Sequence, residues 1–205
     1  MTAPLPSLIL ASASPRRREI LSALGVAFEV IVPDVQELTE GDPERVVVEN
    51  ALRKAHAVNG GPEGVPVLGV DTEVVLDGRV LGKAADRAQA RMRLEQLSGR
   101  THVVLSGVAV LGGPDAQERS GVSRSEVTFR PLDDGTIELY LDSEEWRDRA
   151  GAYAIQGLGS VLIERVTGDL SNVIGLPVRR LLELAPELLV NAGDSASGSH
   201  VDPQS

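Results

Sequence analysis

The chain shows its fold class first in the stretch Leu8-Ile9-Leu10-Ala11-Ser12-Ala13-Ser14-Pro15-Arg16-Arg17-Arg18-Glu19-Ile20-Leu21. The apolar residues at its start predict a short strand. Ser14-Pro15 then predicts a helix, because serine is favoured at the N-cap and proline at the first helical position. Three arginines, residues 16–18, fall in the first helical turn. Since that turn already exposes unpaired N–H groups and the positive end of the helix dipole, the arrangement favours a bound anion such as phosphate. A solvated basic turn is the plainer alternative.

Strand and helix patterns alternate along the rest of the chain, as they do in α/β proteins. The predicted strands are residues 8–11, 28–32, 67–70, 74–76, 103–111, 122–129 and 161–166. The predicted helices are residues 15–24, 43–58, 86–97, 133–141 and 177–189. Asp77-Gly78 predicts a tight hairpin turn, and Gly112-Gly113-Pro114 predicts a second antiparallel pair. This mixture of βα units and hairpins predicts an α/β domain with a mixed central sheet.

Composition limits the kind of protein this chain can be. It has 205 residues, of which 42% are hydrophobic and 2% aromatic, with a net charge of -10 and no cysteine. We expect one domain over residues 1–190 and a disordered tail over residues 191–205, which is rich in Gly, Ser, Asp and Pro. The charge and the few aromatic side chains argue against a nucleic-acid or membrane surface, and thiolate metal sites are excluded. Without a targeting or spanning segment, the expected location is the cytoplasm.

Lysine is rare in this chain, and both copies are candidates for function. Only Lys54 and Lys83 are lysines among the 20 positively charged side chains, and the rest are arginines. A lysine is a compact point charge with three rotatable donors, which a planar guanidinium does not imitate. Lys54 shares the apolar stripe of a predicted helix with Val47 and Ala51, where the ordinary alternative is a side chain that reaches out to water. Lys83 follows Gly82 at the end of a strand pattern, where a loop site is plausible.

Two carboxylates and one amide complete the set of candidates. Asp71 follows the apolar run at residues 67–70, and a carboxylate at a strand end can hold Mg²⁺, orient a water or simply cap a turn. Glu37 lies in a polar loop, where it is either a second metal ligand or an ordinary solvated side chain. Gln156 lies in the glycine-punctuated residues 151–159, where its amide can read a ligand edge, although an ordinary flexible loop has the same composition.

Six short motifs follow one another along the chain. They are Leu10-Ala-Ser-Ala-Ser-Pro-Arg-Arg17, Gly69-Val-Asp-Thr72, Leu81-Gly-Lys83, Leu97-Ser-Gly-Arg-Thr-His102, Ala150-Gly-Ala-Tyr-Ala-Ile-Gln-Gly157 and Gly168-Asp-Leu-Ser-Asn-Val-Ile-Gly-Leu-Pro177. In this order they resemble the Maf family of nucleotide pyrophosphatases, also called septum formation inhibitors. The resemblance implies hydrolysis of a nucleoside triphosphate to the monophosphate and pyrophosphate with a divalent metal, Mg²⁺ or Mn²⁺. It also implies an elongated mixed sheet in two lobes, with the substrate in the cleft between them, and a homodimer.

The resemblance also implies roles for individual residues. Position by position, Asp71 falls where the family has its catalytic carboxylate, and it would bind the metal together with Glu37. The substrate-binding residues implied in the same way are Ser12, Arg16, Arg17, Lys54, Lys83 and Gln156. A nucleotide-binding regulator of cell division that does not catalyse a reaction is the alternative from a different class.

The preferred base depends on the subgroup. Arg16-Arg17 and Ile155-Gln156-Gly157 resemble the subgroup that acts on dTTP and UTP. The subgroup that acts on 7-methyl-GTP tends to carry an acidic residue in place of Gln156, so that substrate, or another non-standard nucleotide, is the alternative. The sequence departs from the family pattern at Glu73, Ala84 and Arg149. These departures leave the reaction class unchanged and weaken the choice of base.

Overall fold

The computed structural model describes residues 7–58, 64–113 and 117–188, which form one seven-stranded sheet with helices on both faces. The strands are β1 (Leu8–Ala11), β2 (Phe28–Val30), β3 (Val67–Leu76), β4 (Arg79–Val80), β5 (Thr101–Leu111), β6 (Glu118–Phe129) and β7 (Ile163–Thr167). The helices are α1 (Pro15–Ala23), α2 (Pro43–His56), α3 (Arg87–Leu97), α4 (Asp134–Asp142), α5 (Leu170–Ile174) and α6 (Val178–Leu184), with a 3₁₀ helix at Gly157–Leu162. None of the helices in these ranges is long and apolar enough to cross a membrane.

The sheet is mixed, as predicted, and it contains a gap. Its order is β2-β1-β3-β5-β6-β7, with β1 parallel to β2 and β3 and the later pairs antiparallel. β5 pairs with one edge of β3, so β1 and β4 must share the other edge. The pairing with β1 ends where Ala11 faces Gly69, and the pairing with β4 begins where Val80 faces Val75. Between these pairs, no described strand covers residues 70–73, and both faces of β3 open onto this gap.

Helix α2 packs on one face of the sheet, and its backbone touches that of the strands. A Cβ atom added at Gly69 of β3 would lie 2.0 Å from the carbonyl oxygen of Ala51. A Cβ atom added at Gly107 of β5 would lie 2.0 Å from the carbonyl oxygen of Val47. Glycine inside a strand commonly marks such a close approach of another backbone. These two glycines set how near the side chains of α2 come to β3.

The opposite face carries two separate apolar clusters, which form the two lobes. Alternate residues of a strand point to opposite faces, so Leu68, Val70, Val74 and Leu76 all point away from α2. Leu68 and Val70 pack with side chains of α1 and α6, in a cluster that includes Leu10, Leu21, Leu176 and Leu181. Val74 and Leu76 pack with side chains of α3 and α4, in a cluster that includes Leu94, Leu97, Phe129, Ile137 and Tyr140. The predicted two-lobed arrangement is therefore confirmed, and the gap in β3 pairing lies between the lobes.

Most predicted elements form, with corrections at several of them. Residues 67–70 and 74–76 are one continuous strand, because Asp71 and its neighbours pair with β5 throughout. Residues 161–166 were predicted as a strand, but Val161 and Leu162 belong to the 3₁₀ helix. Helix α6 ends at Leu184, inside the predicted helix of residues 177–189, and helical conformation resumes at Glu187 and Leu188. Helix α5 has only five residues, too few to show a helical period in sequence. The predicted tail at residues 191–205 and Pro114 of the second turn lie outside the described residues.

The hairpin turn is confirmed in detail. Asp77 and Gly78 both have positive φ, 50° and 77°, between β3 and β4. Positive φ at both central residues is the geometry of the type I′ turn, whose twist matches that of the strands it joins. The turn holds β4 on the edge of β3 and thereby closes one side of the gap.

Candidate active site

The gap in the sheet opens into a cavity of about 650 Å³ between the lobes. Its wall contains every residue that the sequence singled out as a catalytic, substrate-binding or metal-ligating candidate. These residues are Ser12, Arg16, Arg17, Glu37, Lys54, Asp71, Lys83 and Gln156. They come from both ends of the chain and from both faces of the sheet, so only the folded structure brings them together.

Asp71 does not lie at a strand end as predicted. It lies in the middle of the ten-residue strand β3, opposite Gly107 of β5. Aspartate is depleted in strands, which made the apolar run seem to end there. The carboxylate reaches the cavity because β1 stops at Ala11 and leaves this edge of β3 uncovered. It is only 4% exposed, so its environment is set by the protein rather than by bulk water.

Lys54 pairs with both acidic candidates. Its Nζ lies 2.6 Å from Asp71 Oδ1 and 2.7 Å from Glu37 Oε1. The lysine is on the last turns of α2 and is 8% exposed, so it does not reach out to water as the ordinary alternative supposed. Because the helix backbone rests on the sheet, the side chain runs along the sheet surface and ends at Asp71. The result is a buried cation held between two carboxylates.

Asn50 is a residue of this site that the sequence analysis missed. It lies one turn before Lys54 on α2 and is 1% exposed. Its Nδ2 donates to Asp71 Oδ2 at 3.1 Å and to the Leu38 carbonyl at 3.0 Å, while its Oδ1 accepts from Leu38 N at 2.7 Å. The side chain therefore joins the Asp71 carboxylate to the loop that carries Glu37. The available signal was an amide at helical spacing from Lys54 on an otherwise apolar stripe.

Arg17 links the start of α1 to two other segments. Its Nε donates to the Gly175 carbonyl at 2.9 Å, and its Nη1 donates to Ser12 Oγ at 2.8 Å. Nη2 donates to Thr72 Oγ1 at 3.3 Å. Burial lowers the pKa of Arg17 to about 10, a shift that the negative charge of Asp71 opposes, so the guanidinium remains protonated at neutral pH. Of its five N–H donors, those not used in these bonds remain for a ligand.

Arg16 has its donors free, in contrast to Arg17. It is half-buried, lines the cavity, and makes no hydrogen bond to another described residue. Partial burial lowers its pKa, against the opposing charges of Glu19 and Asp148. The N-cap is Ser14, as predicted, but its side chain does not cap the helix. The first-turn N–H groups of α1 and the Arg16 guanidinium therefore face the cavity with unused donors, as an anion site requires.

Lys83 and Gln156 lie on the other side of the cavity. Lys83 is exposed and forms an isolated bridge with Ala150, and Gly151 N donates to the Gly82 carbonyl at 2.9 Å. Gln156 is exposed in an extended conformation directly before the 3₁₀ helix, and its side chain does not cap that helix. The glycine-punctuated segment is therefore built around a helical turn, with Gly157 at a φ of 64°. Both side chains are free to meet a ligand.

Comparison with known proteins agrees with this arrangement. A family model described as Maf-like protein matches residues 7–188. The chain belongs to the Maf family. A relative from Deinococcus radiodurans, named dTTP/UTP pyrophosphatase, is 46% identical over 94% of this chain and 96% of its own length. Relatives of the same name from Symbiobacterium thermophilum (46% identical, 88% of this chain, 93% of that relative) and Caldanaerobacter subterraneus subsp. tengcongensis (42%, 86% and 86%) match similarly.

Glu73 gives the cavity of this Maf protein a third carboxylate. It lies two residues after Asp71 on the same face of β3. Its Oε2 is buried and has no hydrogen-bond partner among the described residues. Burial raises the pKa of Glu73 to about 7, and the charges of Asp71 and Glu37 add to the shift. An unpaired carboxyl oxygen beside a cavity is free to bind a water, a donor or a cation.

The carboxylates of this Maf protein suit a hard divalent cation. Asp71, Glu37 and Glu73 supply oxygen donors, the type that Mg²⁺ and Mn²⁺ prefer. Among the described residues, no group of three or more acidic, His or Cys side chains forms a closed metal cluster. Mg²⁺ in nucleotide enzymes is commonly held by one or two carboxylates together with substrate phosphates. The donor set therefore fits a cation that binds with the triphosphate.

Proposed function

We propose that this protein hydrolyses nucleoside triphosphates, dTTP and UTP above all, to the monophosphate and pyrophosphate. The observation that carries the proposal is the convergence of Asp71 and Lys54 with the arginines of α1 across the gap in the sheet. A carboxylate for proton transfer thus faces unused cationic donors in a single cavity. The names of the curated relatives support the reaction and the choice of pyrimidine substrates.

Asp71 would act on the attacking water. In the proposed step the water oxygen bonds to the α-phosphorus, the bond from that phosphorus to the bridging oxygen breaks, and pyrophosphate leaves. The water proton passes to the Asp71 carboxylate, as in general base catalysis. Lys54 and Asn50 hold one carboxylate oxygen each, which fixes the orientation of the group before the substrate arrives.

The cations of the cavity would bind the triphosphate and stabilise the charge that develops on the leaving pyrophosphate. Arg16 and the first turn of α1 offer free N–H donors, and Arg17 adds those donors it does not use within the protein. Ser12 Oγ already accepts from Arg17 and from Ser14 N, so its hydroxyl proton is available to a phosphate oxygen. Lys83 approaches from the opposite wall.

A divalent cation would be held by Asp71 and Glu37, together with phosphate oxygens of the substrate. Such an ion withdraws charge from phosphate oxygens and orients the group that is transferred. Lys54 Nζ already contacts both Asp71 and Glu37, so it keeps the two carboxylates close together without a metal. The requirement for Mg²⁺ or Mn²⁺, the homodimer, the cytoplasmic location and the domain limit at residue 190 stay predictions.

Gln156 would read the base. Its side-chain amide has one carbonyl that accepts and one NH₂ group that donates. Uracil and thymine present a carbonyl acceptor beside an N–H donor, so both halves of the amide find a partner. Cytosine presents an NH₂ donor beside a ring-nitrogen acceptor. If the Gln156 amide keeps the same orientation, its NH₂ group then meets a donor and its carbonyl meets an acceptor, so neither hydrogen bond forms. A site built to hydrogen-bond a substrate in this way rejects analogues that leave its groups unpaired.

The test is product analysis with the purified protein, Mg²⁺ and a panel of triphosphates: dTTP, UTP, CTP, ITP and 7-methyl-GTP. We expect monophosphate and pyrophosphate in equal amounts, fastest with dTTP and UTP. Asp71→Asn should still bind UTP in calorimetry but turn over at least about a hundredfold more slowly, which is the usual loss on removal of a general base. Binding without pyrophosphate release by the unaltered protein would support the regulator instead. Comparable rates on 7-methyl-GTP and dTTP would contradict the pyrimidine preference.

A further inference from the structure

The segment that carries Gln156 is held on its downstream side by one carboxylate. Glu145 Oε1 accepts a hydrogen bond from Leu158 N at 3.0 Å, and Glu145 Oε2 accepts one from Gly159 N at 3.1 Å. Both oxygens are therefore used on consecutive N–H groups in the first turn of the 3₁₀ helix, where these groups have no partner inside the helix. Hydrogen bonds to an ionised acceptor are roughly twice as strong as those between neutral groups.

The same segment is held on its upstream side by a buried phenol. Tyr140 is 0% exposed on α4, and its hydroxyl oxygen accepts a hydrogen bond from Ala154 N at 2.9 Å. The two ends of the segment also touch, since a Cβ atom added at Gly159 would lie 1.9 Å from the Ala154 carbonyl oxygen. Gln156 therefore lies at the tip of a short loop whose base is closed. Both anchors come from α4 and the turn that follows it.

Glu145 does not itself form part of the cavity wall, whereas Gln156 does. We propose that Glu145 is a positioning residue for base recognition: it fixes the backbone on which the Gln156 amide is presented. This inference rests on the proposed role of Gln156 in reading the base. The amide discriminates only if its two halves face the base in one orientation. A segment released from its downstream anchor would shift the amide away from the edge of the base and so weaken the discrimination between uracil and cytosine.

The substitution that isolates this role is Glu145→Gln. Glutamine has nearly the same shape, but one of its two terminal groups is an NH₂ donor. That group cannot accept the hydrogen bond of Leu158 N or Gly159 N, so one anchor bond is lost while the packing is kept. The matched control is Glu164→Gln, because Glu164 is exposed on β7 and forms no ion pair with another described residue.

The experiment measures kcat/KM for UTP and for CTP in five proteins: the unaltered chain, Glu145→Gln, the control Glu164→Gln (which should match the unaltered chain), Gln156→Ala and the Glu145→Gln/Gln156→Ala double variant. The inhibition constant of inorganic tripolyphosphate, which has no base, is measured alongside. We expect Glu145→Gln to lower the UTP-to-CTP ratio about tenfold, since misplacement by an ångström can cost up to about a hundredfold in rate. In the Gln156→Ala background, Glu145→Gln should leave the UTP-to-CTP ratio unaltered. The inhibition constant of tripolyphosphate should stay within about twofold of its original value in every variant.

Each outcome decides the inference. An unchanged ratio in Glu145→Gln, beside a lowered ratio in Gln156→Ala, would overturn the role of Glu145 and leave that of Gln156 intact. An unchanged ratio in Gln156→Ala would overturn the proposed base reader, and the inference about Glu145 with it. If Glu145→Gln does not fold, Tyr140→Phe removes the upstream anchor instead. We expect the same fall in the ratio from it, and its absence would also overturn the inference.

Discussion

Lys54 is the residue whose replacement tests the geometry of the site most directly. We predict that Lys54→Arg, which keeps the positive charge, removes most of the activity. In the structure, Lys54 Nζ contacts Asp71 Oδ1 at 2.6 Å and Glu37 Oε1 at 2.7 Å within a buried space. A guanidinium is planar and larger than an ammonium, and its terminal nitrogens reach about one bond further from the backbone than the amine of lysine. To admit it, Asp71 must move away from the position in which it meets the water.

The expected loss follows from these distances. Nζ already lies at hydrogen-bond distance from Asp71 Oδ1, and Asn50 holds the other carboxylate oxygen, so a bulkier group at this point shifts the Asp71 carboxylate by about an ångström, and misplacement of that size costs around a hundredfold in rate. A hundredfold in kcat/KM corresponds to about 2.7 kcal/mol of transition-state stabilisation. Forcing a larger group into a packed site also destabilises the fold by about 1–3 kcal/mol. Lys54→Met would cost more stability, about 3–5 kcal/mol, because it leaves the buried Asp71 carboxylate without its cation.

The assay is kcat/KM for UTP, measured with denaturant unfolding of the same preparations. Arg53→Lys is the matched control, because Arg53 is the neighbour of Lys54 on α2 and makes only exposed contacts, an ion pair with Glu49 and a hydrogen bond to the Gln36 carbonyl at 3.5 Å. Exposed pairs of this kind contribute little, about 0.3–0.5 kcal/mol. The control should therefore match the unaltered protein in both measurements. If Lys54→Arg keeps its rate within about threefold, less than 1 kcal/mol, the site needs only a positive charge there and the argument from geometry is wrong.

Two further predictions concern stability. Burial lowers the pKa of His102 to about 4 from 6.5, so between these values the unfolded chain binds a proton that the folded protein refuses. The difference in free energy of unfolding between the unaltered protein and His102→Gln should therefore fall by up to about 3 kcal/mol as the pH falls from 7 to 4. If urea unfolding shows the same pH dependence for both proteins, this prediction is wrong. Gly69→Ala places a methyl group 2.0 Å from the Ala51 carbonyl oxygen and should destabilise the protein by about 3 kcal/mol or more. Gly135→Ala, in the helix α4, should be neutral or stabilising in the same melts, and equal effects of the two changes would refute the close approach.

Local signals in the sequence were sufficient to predict most helices and strands and to identify residues that line the candidate site. The Ser14-Pro15 pair placed the start of α1, and the Asp77-Gly78 pair placed the hairpin turn, because each depends on the conformational preferences of adjacent residues. The motifs contain six of the eight candidate residues, Glu37 and Lys54 lie outside them, and all eight line one cavity. Their catalytic and binding roles stay predictions.

Features that depend on distant residues could not be read in this way. Asp71 seemed to end a strand because the neighbours that hold it in β3 are residues of β5, more than thirty positions away. The gap that exposes it exists only because β1 and β4 pair with the same edge at separate places. Asn50 has no signal of its own beyond helical spacing, since its partners Leu38 and Asp71 lie on other segments. Tertiary pairing, not local preference, decides each of these.

The direct contact of α2 with the sheet has a consequence for how the site can change. Gly69 and Gly107 let the carbonyl groups of the helix rest on the strands with no side chain between them. Aliphatic cores adjust to substitution by rotamer changes and small shifts, but two backbones in contact have no such compliance. The distance between the Lys54 amine and the Asp71 carboxylate is therefore difficult to change by repacking of side chains. Directed evolution of substrate choice should proceed through the loops around the cavity, while this spacing stays constant from one variant to the next.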